Sequence, residues 1–265
     1  MWRFGALALV VSALAFTGCA ASAARTAPAS LTLSVAAAAS LRDAFTEAAS
    51  RYEASHPRVT LQLAFDASSA LRTQIEQGAP VDVFASADST NPQQLVDHGL
   101  ATGPVSPIAR NELVIVVPPS TTATVETPLD LARSGVKVIA AGPEVPITKY
   151  ATQLIANLAH QPGYPADFAA RVAANTVSRE DNVRAILAKV ALGEGDAGIV
   201  YATDARAGKV GTVAIPPGAN VIATYGAVVV KASSHPAQAQ AFIDWLVGPD
   251  GQAGLAGFGF LAVTG

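Results

Sequence analysis

Cysteine is nearly absent from this sequence, since Cys19 is the single cysteine among 265 residues. An intramolecular disulfide is therefore excluded, and the fold must be held together by its core. Charged residues make up only 14% of the chain and the formal net charge is −3, so no broad basic surface can form. Nucleic acid is for this reason not an expected partner. With 51% hydrophobic residues, the chain has ample material for one large or two medium domains.

Motifs for catalysis are also scarce. The chain has no G-x-S-x-G nucleophile elbow, no phosphate-binding loop with its lysine, and no G-x-G-x-x-G after a predicted strand. Three aspartates near predicted strand ends, Asp66, Asp82 and Asp88, either form a carboxylate cluster or cap turns and helices. The sequence offers hydroxyl groups and hydrogen-bond donors but no evident reactive group, which favours binding over catalysis. None of the four histidines has a partner at metal-ligand spacing, and we expect all of them to be solvated: His56, His98, His160 and His235.

The amino terminus is typical of a targeting segment. Residues 1–18 carry one early charge, Arg3, and then an apolar run that is too short to span a bilayer but suits a signal-peptide core. The following Cys19 resembles the lipidated cysteine of a bacterial lipobox. We therefore predict a signal peptide over 1–18, a lipidated tether over 19–30 and a membrane-anchored, extracytoplasmic lipoprotein. The alternative is a plain secretory signal that is cut nearby, which gives a soluble secreted protein.

The stretch AAAASL, residues 36–41, joins a predicted strand to a predicted helix. The apolar run 31–36 indicates a buried strand, and apolar side chains then recur at helical spacing. Ser40 is the expected N-cap of the helix, with Asp43 completing the S-x-x-[DE] capping signature. The first N–H groups of a helix lack intrahelical partners and, with the helix dipole, they suit an anion.

Short apolar runs alternate with helical patterns along the rest of the chain, which predicts an α/β fold with mostly parallel strands. The same local pattern recurs at Ser68, at Pro146-Ile147 and at 181–183: a strand, then a small or polar turn, then the start of a helix. In open parallel sheets the ligand crevice lies beyond the carboxyl ends of the strands. These turns are therefore the places where we expect a ligand.

The order of these segments resembles that of the periplasmic molybdate-binding proteins of ABC transporters. The resemblance spans nearly all of residues 31–265 and implies an α/β, two-lobed periplasmic-binding-protein fold of type II, with each lobe a mostly parallel sheet flanked by helices. The first lobe is expected to comprise residues 31–112 and 223–265, and the second lobe residues 113–222. The matching segments, in order, are AAAASLRDAF, FDASSALRTQIEQGAPVDVFASAD, ELVIVVP, GPEVPITKYA, EDNVRAIL, GDAGIVYATDA and FIDWLVGPDGQAGLAGFGF.

The resemblance also implies a cage of uncharged donors in the cleft between the lobes. Carried onto this sequence, Ser40 and Ser68 would each offer a hydroxyl and a backbone N–H from the first lobe. The backbone N–H groups of Ile147 and Val183 and the phenol of Tyr201 would complete the cage from the second lobe.

Two segments depart from the usual pattern of that family. GPEVPITKYA is one residue shorter, and Thr148 stands where glycine is common, so that either Ile147 or Thr148 could donate the N–H group. EDNV has Asn182 where an acidic residue usually adjoins the valine. The two serines and Tyr201 are not affected by these departures.

The function implied by the resemblance is capture of molybdate or tungstate and delivery to an ABC importer, without enzymatic activity and without a cofactor. The expected partner is a membrane permease, and we expect a monomer. A site made only of uncharged donors binds a fully deprotonated oxyanion but offers no acceptor to an O–H group. Hydrogen phosphate, which carries an O–H group, should therefore be rejected unless Asp66 supplies an acceptor. One alternative is a receptor of the same fold for another oxyanion such as sulfate. Others are a secreted enzyme that uses Tyr201 or an aspartate as acid or base, and a signalling or adhesion module.

Overall fold

A computed structural model describes residues 1–2, 30–119 and 125–263 of the chain. Cys19, all but two residues of the predicted signal peptide and nearly all of the predicted tether lie outside these described residues. Within the described ranges, no helix combines the length and the apolar character needed to cross a bilayer.

Strands and helices alternate through the described chain, as the pattern of apolar runs predicts. Two short 3₁₀ turns, Ala39–Leu41 and Pro128–Ala132, accompany them. In chain order the elements are β1 (Leu31–Ala38), α1 (Arg42–Ser55), β2 (Val59–Asp66), α2 (Ser68–Glu76), β3 (Val83–Ser86), α3 (Thr90–Asp97), β4 (Ala101–Asn111), β5 (Leu113–Val117), β6 (Val138–Ala141), α4 (Pro146–Ala159), α5 (Phe168–Ala174), β7 (Thr176–Glu180), α6 (Val183–Ala191), β8 (Ala197–Tyr201), α7 (Ala202–Ala207), β9 (Gly211–Val213), β10 (Ala223–Val230), α8 (Pro236–Val247) and α9 (Pro249–Gly257).

The strands form two five-stranded sheets. The first sheet has the order β2-β1-β3-β10-β4 and, with α1, α2, α3, α8 and α9, makes up what we call the first unit. The second sheet has the order β7-β6-β8-β5-β9 and, with α4 to α7, makes up the second unit. In each sheet four described strands run in one direction and one is reversed, β10 in the first and β5 in the second. The prediction of an α/β fold with mostly parallel sheets is confirmed.

Parallel pairing places the turns of the first unit side by side. β1 pairs with β2 so that Ala38 lies opposite Asp66, and β3 runs in the same direction on the other side of β1. The three strands therefore end at one edge of the sheet. The turns that hold Ser40 and Ser68 follow directly at this edge.

The second unit repeats this arrangement with different residues. β6 pairs in parallel with β7, where Ala141 lies opposite Glu180, and also in parallel with β8. The starts of α4 and α6 therefore lie at the same edge as Tyr201, the last residue of β8. The fold thus creates two sheet edges, one in each unit, where helices begin with N–H groups that have no intrahelical partner.

The described chain passes between the units in two places, from β4 to β5 and from β9 to β10. Asn220 in the returning segment ties the two passages together. Its Oδ1 accepts from the Leu113 N–H at 3.3 Å, and its Nδ2 donates to the Leu113 carbonyl at 3.1 Å. The passages therefore lie side by side, which is the geometry that a hinge between two units requires.

Gly198 in β8 lets α6 pack closely on the second sheet. A Cβ atom at this position would lie 2.5 Å from Ile186 Cγ2 and 3.1 Å from the Ile139 carbonyl oxygen. Since α6 begins at Val183, this close approach fixes the position of one of the predicted donors.

Strand β4 has little signal in the sequence, because Gly103, Pro104 and Pro107 interrupt it. These residues are accommodated because β4 lies at the edge of its sheet, where a missing proline N–H breaks few ladder bonds. Register shifts along its pairing with β10 and a positive φ of 74° at Gly103 absorb the irregularity.

The prediction that Ser40 caps the first long helix is wrong. Ser40 lies inside the 3₁₀ turn, α1 begins at Arg42, and no side chain caps either element. The Ser40 hydroxyl is instead hydrogen bonded to Tyr225 in the interior. Asp43, the expected partner in the cap, forms an ion pair with Arg184. Long-range partners thus take both groups away from the local capping pattern.

Candidate functional site

The five residues that the resemblance singles out line one small pocket between the two units. The pocket has an empty volume of about 210 Å³. All five side chains are buried, at most 4% exposed. The structure therefore brings together groups from five separate segments: Ser40, Ser68, Ile147, Val183 and Tyr201.

Two larger cavities have walls of different chemistry. One of about 830 Å³ lies against α4 within the second unit and is lined mainly by apolar side chains. The other, about 800 Å³, is a crevice between the units that is lined by Arg184 and Arg206 among others. In the small pocket, by contrast, no lysine, arginine or histidine is among the described residues of the lining.

The hydroxyl of Ser40 is oriented by a chain of hydrogen bonds beneath it. Ser40 Oγ lies 3.0 Å from the Tyr225 hydroxyl oxygen, and Asn111 Nδ2 donates to that same phenol oxygen at 3.4 Å. Burial raises the pKa of Tyr225 well above its ordinary value, so the phenol keeps its hydrogen. Either oxygen could donate in this bond; because a phenol is a stronger donor than an alcohol and Asn111 already donates to the phenol oxygen, we assign the Tyr225 hydrogen to Ser40. The hydrogen of the Ser40 hydroxyl is then left for a ligand.

Ser68 is arranged in the same way by the backbone. The N–H group of Ala87 donates to Ser68 Oγ at 3.0 Å. The serine oxygen is therefore already an acceptor, and its hydrogen remains to be donated. Ser68 is also the first residue of α2, where backbone N–H groups have no partner within the helix.

The second unit contributes backbone donors at two helix starts. Ile147 is the second residue of α4 and Val183 the first residue of α6, so neither N–H group has an intrahelical partner. Asn182 caps α6 by accepting from the Ala185 N–H, which leaves the N–H of Val183 free to face the pocket. The identity of the side chain matters little where the backbone donates.

The choice between Ile147 and Thr148 follows from their hydrogen bonds. The Thr148 N–H donates to the Val145 carbonyl at 2.9 Å, and its hydroxyl donates to the Gly142 carbonyl at 2.7 Å. Both donors of Thr148 are therefore used within the second unit. Ile147 is the residue of the two that lines the pocket.

Tyr201 carries a donor without an acceptor. Its hydroxyl is buried and has no hydrogen-bond partner among the described residues. Its ring packs edge-on against Tyr150 and Tyr225, with centroids 6.3 and 5.5 Å away. Burial raises the pKa of Tyr201 well above its ordinary value, so the hydroxyl stays protonated. A buried group of this kind costs roughly 1–3 kcal/mol until an acceptor reaches it.

One carboxylate, that of Asp66, is part of the pocket lining. Its Oδ1 accepts from the Ala67 N–H at 2.7 Å, which holds the carboxylate at the start of α2. Asp66 thus places an acceptor in the same lining as the predicted donors Ser40 and Ser68.

Of the other two aspartates near strand ends, Asp88 serves a turn and the start of α3, whereas Asp82 joins segments that are distant in the chain. Asp82 accepts from the Ser34 N–H at 2.8 Å, and Asp88 accepts from the Ser86 hydroxyl and the Asn91 N–H at 2.8 and 3.0 Å. Among the described residues, no group of three or more His, Cys, Asp or Glu side chains could hold a metal ion. The interpretation as a cap or turn therefore fits Asp88, whereas Asp82 makes long-range contacts to Ser34 and Ser233.

An ion pair lies next to the donors of the second unit. Arg184 follows Val183 in α6, and its Nε lies 2.7 Å from Asp204 Oδ1. Asp204 is fully buried, and burial raises its pKa to about 7 even though the Arg184 guanidinium favours the charged form. Sequence reasoning missed this pair and also Tyr225, because the bonds of Tyr225 join residues as far as 185 positions apart.

Comparison with known proteins identifies the family. The family model for bacterial extracellular solute-binding proteins matches residues 33–261. The chain belongs to this family. Its members are solute-binding proteins rather than enzymes, so the prediction of a binding protein is confirmed. The family is extracellular, so this protein is located outside the cytoplasm.

Relatives of this solute-binding protein include proteins named for molybdate. The molybdate-binding protein ModA of Mycobacterium tuberculosis H37Rv is 37% identical over 228 residues, which cover 85% of this chain and 83% of the relative. The molybdate-binding protein ModA of Escherichia coli K12 is 31% identical over 237 residues, which cover 86% and 88% of the two chains. The resemblance predicted from the ordered segments is confirmed.

Solved structures show the same fold. The periplasmic molybdate-binding protein of Azotobacter vinelandii matches with a TM-score of 0.73 at 24% identity, covering 86% of this chain and 98% of that one. The sulfate-binding protein SubI of Mycobacterium tuberculosis H37Rv matches with a TM-score of 0.78 at 21% identity, covering 88% of each chain. At these identities the likeness concerns the fold and does not distinguish ligands.

The buried Asp204 makes the stability of this solute-binding protein depend on pH. Since its pKa is about 7 in the folded chain and ordinarily 3.8, the folded state binds the extra proton between these values. Its contribution to stability therefore falls as the pH rises from about 4 to 7. We expect the stability of the wild type relative to Asp204→Asn to be highest at about pH 4, to decrease as the pH rises to about 7, and to level off above that.

Denaturant unfolding at several pH values measures this difference. Asp97→Asn, at the exposed end of α3, controls for the loss of one carboxylate. A stability difference between the wild type and Asp204→Asn that stays constant or grows with pH would contradict the assignment.

Proposed function

We propose that this solute-binding protein captures molybdate or tungstate and delivers it to an ABC importer. The observation that carries the proposal is the unpartnered Tyr201 hydroxyl in a pocket that gathers uncharged donors from both units. An oxyanion would supply the acceptor that this hydroxyl lacks. The names of the M. tuberculosis and E. coli relatives support the same ligand.

The donors suit a tetrahedral dianion. Hydrogen bonds to a charged partner contribute about 1.5–3 kcal/mol each, and several of them can replace a positive side chain. The helix starts at Ser68, Ile147 and Val183 add the favourable ends of their dipoles. We infer that Ser40 and Ser68 donate through hydroxyl and backbone N–H, Ile147 and Val183 through backbone N–H, and Tyr201 through its phenol. The oxyanion is the transported solute and not a cofactor.

The two units would act as the lobes of a hinged trap. We place the lobe boundaries at the two passages of the chain, so that residues 31–112 and 223–265 form one lobe and 113–222 the other. The side-by-side passages tied by Asn220 would form the hinge. Since the donors come from both lobes, the ligand has its full set of contacts in the closed state alone and shifts the equilibrium toward it.

The partner of the closed, loaded protein would be the membrane permease of an ABC importer, which the protein would meet as a monomer. Lipidation of Cys19 would hold the protein at the membrane. The test is the distribution of Cys19→Ala between membrane and soluble fractions. Release into the soluble fraction is expected, and an unchanged distribution would favour a plain secretory signal.

Titration calorimetry tests the ligand directly. We expect one molybdate or tungstate per chain, with sulfate bound far more weakly because it is the smaller dianion. Hydrogen phosphate should bind weakly as well, unless Asp66, the carboxylate in the lining, accepts the hydrogen bond from its O–H group. Binding of sulfate without binding of either metal oxyanion would contradict the proposal and favour the sulfate alternative.

Two tyrosine variants separate the direct donor from the residue that orients Ser40. Tyr201→Phe should weaken binding by about 1.5–3 kcal/mol, or roughly ten- to hundredfold in Kd, because a charge-assisted bond is lost. The ligand-free protein should not lose stability, since this hydroxyl has no hydrogen-bond partner to lose among the residues that the structure describes. Tyr225→Phe should destabilise the ligand-free protein by about 1 kcal/mol and weaken binding less, because it only releases Ser40.

The matched control is Tyr52→Phe, a buried tyrosine that packs against Phe242 and Trp245 in the first unit. Calorimetry gives the Kd of each of the three variants, and thermal unfolding gives the stability of each ligand-free variant. Equal Kd values for Tyr201→Phe and Tyr52→Phe would contradict the proposal that the Tyr201 hydroxyl donates to the ligand.

A further inference from the structure

Arg184 is the residue through which the second unit reaches the first beside the pocket. It directly follows Val183 in α6, so it shares a turn with a proposed donor. Its Nε lies 2.7 Å from Asp204 in its own unit, while its Nη2 lies 2.6 Å from Asp43 Oδ2 on α1 of the first unit. One guanidinium therefore joins a carboxylate from each unit.

The two halves of this arrangement differ in burial. The Asp204 side chain is 0% exposed, whereas that of Asp43 is 42% exposed. The inner carboxylate fixes the guanidinium in the second unit, and the outer one meets it across the boundary. Movement of the units apart leaves the pair with Asp204 intact and breaks the pair with Asp43.

The pair with Asp43 lies on the crevice side of the pocket. Asp43 and Arg184 line the crevice between the units together with Ser40, which also lines the small pocket. The ion pair therefore stands where solvent reaches the boundary between the units, close to the first serine donor.

Two effects of Asp43 on an anion have opposite signs. As a negative charge near the pocket, the carboxylate repels an oxyanion, and its removal would strengthen binding. As the partner of Arg184, it stabilises the arrangement in which all donors meet, and its removal would weaken binding. The sign of the change thus separates the two roles.

We propose that the Arg184–Asp43 ion pair is a latch that holds the two units closed over the bound oxyanion, with both residues acting as positioning residues. This inference rests on the proposed function for its ligand. A contact made only in the closed state slows reopening and leaves the encounter with the ligand unchanged.

The test is Asp43→Asn, which removes the charge that crosses the boundary and leaves the buried pair intact. Stopped-flow kinetics with molybdate should show a dissociation rate about two- to fivefold faster, the range expected for a partly exposed ion pair, and an unchanged association rate. Glu47→Gln is the matched control, because Glu47 lies on the same helix and pairs with Arg51 within it. Asp43→Glu, which keeps the charge, should restore part of the slow dissociation.

A dissociation rate of Asp43→Asn equal to or slower than that of Glu47→Gln would overturn the latch. Failure of the wild type to bind molybdate would instead contradict the proposed function. The latch is then tested without ligand, by distance measurements between spin labels on the two units. A smaller closed population in Asp43→Asn than in Glu47→Gln supports the latch, and equal populations overturn it.

Discussion

A buried oxyanion that meets no positive side chain needs several hydrogen-bond donors that the protein has not already used. Most buried donors in a folded chain are paired, so free ones must be prepared by other bonds. Ser68 shows how this is done, since its oxygen accepts from the Ala87 N–H and keeps its hydrogen, and Ser40 does the same with the hydrogen of Tyr225 assigned to it. In the second unit, helix starts leave the N–H groups of Ile147 and Val183 without intrahelical partners, and the Tyr201 hydroxyl has no acceptor within the described part of the chain.

This requirement accounts for the architecture around the pocket. Parallel strands that end at one edge deliver consecutive helix starts to the same place, and each unit provides one such edge. Because the donors are divided between two edges, a complete set forms only where the edges meet. The two passages of the chain, which Asn220 ties together at Leu113, keep the units connected while the two edges meet.

The surroundings of the pocket are acidic rather than basic. Asp66 lines it, and Asp43 and Asp204 lie beside it around Arg184. Arg184 is thus used for pairing carboxylates and does not line the pocket. In the proposed site, uncharged donors and the Asp66 carboxylate line the pocket, while the charges of Asp43 and Arg184 act on the position of the units.

The sequence by itself determined the alternation of strands and helices, because this depends on local periodicity. Its ordered segments also carried the resemblance to the family, and that resemblance implied the five residues that line the pocket. The resemblance implied Ile147 as a donor with Thr148 as the alternative, and the structure uses both donors of Thr148 in hydrogen bonds to Val145 and Gly142. Only the tertiary structure revealed that Tyr225 orients Ser40, that Asp43 pairs with Arg184 instead of capping a helix, and that an edge strand tolerates Pro104 and Pro107. These contacts join residues that are distant in the chain, and local periodicity carries no information about partners that only folding brings together.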